Sequence, residues 1–198
     1  FSRADGKQVK TGNTNDAGSD LKDGSVLNIT AYELGNLGVW GQRFTNATVN
    51  VSLTDCDGKA IEGKTNVQRV YISGAKGENN ITLTGCDFQT KATAVYSNAD
   101  GAVTISDCSF TGGQVPVNFN HKANGAQKVT VSNSTFTGCG DADGWKQFAA
   151  PIRFVNSGTG TMNTEVDTCT ITGTVGANGD ILLGDGRTGQ ASKDVSLK

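Results

Sequence analysis

The chain has 198 residues, enough for one domain with a substantial core. Only 35% of residues are hydrophobic and 18% charged, the net charge is −2, and no run of ~18 apolar residues occurs. These values argue against a nucleic-acid partner, which calls for a basic surface, and against a membrane-spanning helix. Glycine is abundant at 27 residues and proline scarce at 2, which suits a β-rich, turn-rich chain; the apolar residues recur too regularly for disorder.

Residues 1–48 are the least regular part. Segments 26–30 and 37–40 are expected to form a first rung and a cap over the terminal hydrophobic cross-section. The chain begins at Phe1 and closes on a strand-like segment, 194–198. It is therefore read as a segment of a longer protein, with a continuous domain over 49–198.

From residue 51 onward one pattern recurs. Val51-Ser52-Leu53-Thr54-Asp55-Cys56 returns as Ile81-Thr82-Leu83-Thr84-Gly85-Cys86, Val103-Thr104-Ile105-Ser106-Asp107-Cys108 and Val129-Thr130-Val131-Ser132-Asn133-Ser134. A looser copy is Thr164-Glu165-Val166-Asp167-Thr168-Cys169. Alternation of apolar and polar residues predicts a strand with Val103 and Ile105 on one face and Thr104 on the other. Asp, Gly or Asn follows, residues that tolerate left-handed backbone and can turn the chain without a loop. A second short strand comes next, with Cys and Phe inward (Phe88, Phe110, Phe136), and Thr-Gly ends it. Third strands are expected around Tyr71, Tyr96, Asn118, Arg153 and Leu182. Units that cannot bury a core alone must stack, which predicts an all-β parallel solenoid of about six rungs with three short strands each.

The runs such as Val103 to Gly112 resemble the repeat of right-handed parallel β-helix proteins of the pectate-lyase-like superfamily (pectin lyase-like; bacterial surface and adhesin type). The resemblance covers roughly 49–198. It implies right-handed crossovers and a setting among polysaccharide lyases, glycosidases, tailspikes and adhesins. The glycosidases of that group carry an Asn-Thr-Asp segment, an Asp-Asp pair, Gly-His-Gly and Arg-Ile-Lys, none of which occurs here. The lyases need acidic residues stacked on adjacent rungs with a basic residue beside them, and no such set is legible.

Cys56, Cys86, Cys108 and Cys169 share one repeat position, which predicts a ladder of reduced, interior, structural thiols. Cys139 lies outside that pattern, in a loop, either as a buried plug or as an exposed thiol linking two chains. His121, the single histidine, reads as a solvated loop residue because no acid neighbours it in sequence. Asp141 and Asp143 alternate around a glycine-bearing loop that could offer oxygens to Ca2+, but the complete calcium loop is absent; no other cofactor is expected.

The outward positions Tyr71, Tyr96, Asn118, Arg153 and Leu182 should form one stripe, flanked by Trp145, suited to a sugar chain or a partner peptide. The outward hydroxyls of the first strands form a Thr/Ser lattice that resembles ice-binding solenoids, interrupted by Glu165 and Asp167. Four glycosylation sequons, at Asn28, Asn46, Asn80 and Asn133, are expected by chance in so Asn- and Thr-rich a chain.

With no catalytic residues assigned, the expected function is a non-enzymatic extracellular or cell-surface module. It would act as adhesin, stalk or assembly scaffold, with a glycan or surface protein as partner. The alternatives are a polysaccharide lyase or glycoside hydrolase, and a filament or sheath subunit associating through its solenoid ends or Cys139.

Overall fold

The computed structural model describes residues 9–10, 24–33, 39–42, 47–59, 70–73, 77–141, 146–176, 178–184 and 195–197. They form an all-β solenoid of three parallel sheets. The first sheet runs Val9–Lys10, Val39–Gln42, Val70–Ser73, Val95–Ser97, Val117–His121, Ile152–Asn156 and Ile181–Leu183. The second runs Val26–Tyr32, Thr48–Thr54, Glu78–Thr84, Gly101–Ser106, Ala126–Ser132, Thr161–Asp167 and Val195–Leu197. The third runs Asp57–Lys59, Asp87–Gln89, Ser109–Thr111, Thr135–Thr137 and Thr170–Thr172. Its five strands define five complete three-strand turns among the described residues, against the expected six. Val26–Tyr32 and Val39–Gln42 add one more layer to two sheets only.

Alternation sets which face is inside. In Thr48–Thr54 every second residue is buried, and Val49, Val51 and Leu53 are the inward set. The register is direct from turn to turn: Val51, Ile81, Val103 and Val129 are successive partners, as are Leu53, Leu83, Ile105 and Val131. The third sheet supplies a phenylalanine column. Phe88 and Phe110 stack at 5.5 Å between ring centroids, Phe110 and Phe136 at 4.8 Å, with planes 10° and 9° apart. Burying each such side chain stabilises by roughly 1.5–3 kcal/mol.

The corner between second and third sheets is built from one recurring device. Asp55, Gly85, Asp107, Asn133 and Thr168 all adopt φ between 50° and 64°. The next residue then points a donor back across the bend. Cys56, Cys86, Cys108 and Cys169 Sγ donate to the carbonyls of Thr54, Thr84, Ser106 and Asp167 at 3.2–3.5 Å. Ser134 Oγ makes the same contact to Ser132 O at 2.8 Å. A small side chain with one weak donor fits the interior and the backbone at once. All five cysteines are free thiols; Cys169 alone is half-buried.

Cys139 is not outside the pattern. It follows Gly138 (φ 61°), and its Sγ donates to Thr137 O at 3.5 Å, so it repeats the bend-and-donor device at the next corner. It is fully buried, which is the plug reading; a cross-link through it would first require opening the core. Burial pushes its thiol pKa up to about 11. The Cys108 thiol is also raised, by its hydrogen bond with Cys86 and then by burial.

Candidate functional site

The expected stripe exists as a column: Tyr71, Tyr96, Asn118, Arg153 and Leu182 are successive partners along the first sheet. Its side chains spend their binding capacity on one another. The Tyr71 and Tyr96 rings stack at 4.4 Å with planes 11° apart, so the faces a sugar would use are turned toward each other. Arg153 Nη1 donates to Asn118 Oδ1 at 2.9 Å and Nε to Gly184 O at 3.2 Å, and its guanidinium lies 4.6 Å from the Phe148 ring. Tyr71 and Leu182, at the two ends, are half-exposed; Tyr96, Asn118 and Arg153 are 9%, 6% and 5% exposed. Burial, with Tyr71 beside it, raises the Tyr96 hydroxyl pKa well above its ordinary value. Part of the cover over Arg153 is Phe148, the last residue of the 3-10 turn Lys146–Phe148. The apolar run Phe148-Ala149-Ala150-Pro151 in a polar loop was the available signal for that cover.

Trp145 and Asp143 lie outside the described residues. Asp141 is exposed, and its backbone N–H bonds Gly113 O at 3.2 Å. Among the described residues no three His, Cys, Asp or Glu side chains converge on one point.

A second polar group, missed in the sequence, lies at the corner where the first sheet turns into the second. His121 ends the strand Val117–His121 and is 0% exposed, not a solvated loop residue. Its Nε2 lies 2.7 Å from Asp100 Oδ1, and its Nδ1 lies 3.2 Å from Asn156 Oδ1. Asn156 Nδ2 donates to Gly160 O at 2.7 Å, which fixes Oδ1 as the atom facing the ring. Both ring nitrogens therefore face oxygens. Asp100 also accepts from Gly125 N–H at 3.1 and 3.2 Å. The partners of His121 stand 21 and 35 residues away, one rung in each direction, which is why no acid was visible beside it.

Asp100 has a second neighbour. Glu78 is its bridge partner on the preceding rung, so two acidic residues occupy matching positions on adjacent rungs, with no basic residue shown beside them among the described residues. Glu78 is exposed and accepts from Asn80 Nδ2 at 3.0 Å. The two acids line a shallow cleft of about 420 Å³ with Thr48 and the small residues Ala47, Gly77, Gly101 and Ala126. Asp100 is held in fixed geometry by the His121 ring and the Gly125 N–H, while Glu78 faces solvent. Such an asymmetric pair can hold a cation or an ammonium group, or orient a hydroxyl.

The outer face of the second sheet carries the most regular polar surface. Ser52, Thr82, Thr104 and Thr130 form one in-register row, and Thr54, Thr84, Ser106 and Ser132 a second. An amide ladder runs alongside: Asn50 Nδ2 donates to Asn28 Oδ1 at 2.8 Å, Asn80 Nδ2 to Asn50 Oδ1 at 3.0 Å, and Ala102 N–H to Asn80 Oδ1 at 3.0 Å. Glu165 and Asp167 continue the two rows as acids.

No protein-family model, no curated protein and no solved structure matches the chain.

Proposed function

We propose that this chain is a non-enzymatic β-solenoid module of an extracellular or cell-surface protein, an adhesin, stalk or assembly scaffold whose ligand is an extended glycan. The observation that supports the reading is the pair of hydroxyl rows on the second sheet, four residues each, with the Asn28/Asn50/Asn80 ladder beside them. Rungs repeat every ~4.8 Å. A polysaccharide laid along the axis would meet the same donors and acceptors rung after rung, and each hydroxyl can both donate and accept. Many weak contacts in register give avidity without a deep pocket. The Tyr71–Arg153 column then serves as a structural brace, since its inner members are covered.

Glycan-array binding and co-sedimentation with insoluble polysaccharides test the reading. Retention of the intact chain is expected, with at least a tenfold loss in Thr82→Val/Thr104→Val and no release of reducing or unsaturated ends. Absence of binding to any glycan, or equal binding by the double variant, overturns it.

The two acidic residues lining one cleft favour a second reading, a glycoside hydrolase, in which Asp100 and Glu78 share the acid and base or nucleophile roles. Its mark would be reducing-end release abolished by Glu78→Gln.

A further inference from the structure

Buried polar side chains gather at the corner that carries His121, and there two buried amides are incompletely satisfied. Asn79 and Gln127 are each 1% exposed. Asn79 Oδ1 and Gln127 Oε1 meet no hydrogen-bond partner within the protein, an uncommon and costly condition for buried polar atoms.

The two amides belong to one inward row. Asn79 sits on one rung, Gly101 on the next and Gln127 on the one after, with Gly101 the register partner of Gln127. Both amide nitrogens are anchored on the middle rung: Asn79 Nδ2 donates to Ser97 Oγ at 3.0 Å, and Gln127 Nε2 to Ala99 O at 2.8 Å. The nitrogen contacts fix which end of each amide is oxygen. The side chains thus reach inward from above and below toward the rung where glycine contributes no side chain. Glycine is required there, because φ is 121° and a Cβ would run into the Asn79 backbone carbonyl.

We propose that Asn79 Oδ1, Gln127 Oε1 and Ser97 Oγ form a built internal site for one water molecule. The guest must supply two donors, one for each amide oxygen. Ser97 Oγ, fully buried, already accepts from Asn79 Nδ2, and its own proton is free to be given to a third atom. Two donations and one acceptance match water, which makes about three hydrogen bonds when buried. An alkali cation would satisfy the two amide oxygens but could not accept the serine proton. The water would join three consecutive rungs at the corner that carries His121.

A crystal structure of the whole chain at better than ordinary resolution, grown with and without rubidium, tests this. A peak between about 2.7 and 3.2 Å from both amide oxygens, lacking anomalous signal in the rubidium crystal, is the expected result. No peak overturns the proposal, and an anomalous peak overturns it in favour of a cation. The crystal structure of Gln127→Met, which keeps the volume but lacks the amide oxygen, gives a second readout. The peak should be lost or weakened there; a peak unchanged in position would mean that Gln127 Oε1 is no partner of it, and the proposal fails.

Discussion

At the residue scale, the corners decide more than the strands. Three of the five left-handed bend residues at the corner from second to third sheet are Asp or Asn, and one is Gly, types that adopt this backbone readily. Thr168 (φ 52°) is the exception, since a branched Cβ crowds the following carbonyl there. Thr168→Gly should therefore stabilise the protein by about 0.5–1 kcal/mol, after allowing for the entropy lost by glycine. Urea denaturation checks it, and a destabilised variant would mean that the Thr168 side chain makes a contact worth more than the strain. The same scale applies to Asp100. Asp100→Ala leaves the fully buried His121 Nε2 and the Gly125 N–H without their acceptor. A loss of about 1–3 kcal/mol is expected in the same assay, and a change under about 0.5 kcal/mol would show the corner to be merely decorative.

At the scale of elements, stability lies in columns that cross strands. Phe110 stands between Phe88 and Phe136 and touches a ring on each side. Phe110→Ala opens a cavity in the middle of the column and should cost about 3–5 kcal/mol. Differential scanning calorimetry would register this as a melting point lowered by several degrees. An effect no larger than that of an exposed substitution would mean that the column collapses around the gap. The Tyr71–Tyr96 stack and the Arg153–Asn118 bond form a second column on the outside of the first sheet. Lying under the Phe148 segment, it behaves as a core of its own. Residues facing away from the main interior are thus not automatically available to a ligand.

For the whole molecule, each rung rests only on its neighbours, so a fault in one rung is felt along the axis. Alkaline pH is one way to introduce such a fault. Cys139, fully buried, has its pKa raised to about 11 from an ordinary 9.0, and Tyr96 is also raised, burial being the main cause in both. A raised pKa means that the folded state holds the proton more tightly than the unfolded chain does. The associated stability is therefore complete below pH 9 and is lost as pH rises toward 11. For Cys139 the loss amounts to about 2–3 kcal/mol. Chemical denaturation between pH 8 and 11 should show a downward slope that is shallower in Cys139→Ala; identical slopes would mean that the thiol is not sensed.

The repeat, its bends, the inward Val/Ile, Cys and Phe ladders and the parallel stacking could be read from the chain because each depends on residues close in sequence: a period of two within strands, and Asp, Gly or Asn at the turn. The count of turns was less legible, since only the third sheet shows how many rungs close. What tertiary structure alone decided is how distant rungs meet. Asp100, His121 and Asn156 become one cluster only when loops of unequal length bring three rungs into register, and Glu78 joins Asp100 by the same means. Cys139 looked misplaced until the second corner proved to use the same donor geometry as the first. The Tyr96–Arg153 column looked open until a loop folded over it. Local periodicity fixes which way a side chain points, but exposure and partnership depend on what the rest of the chain lays beside it, and one-dimensional spacing carries no record of that.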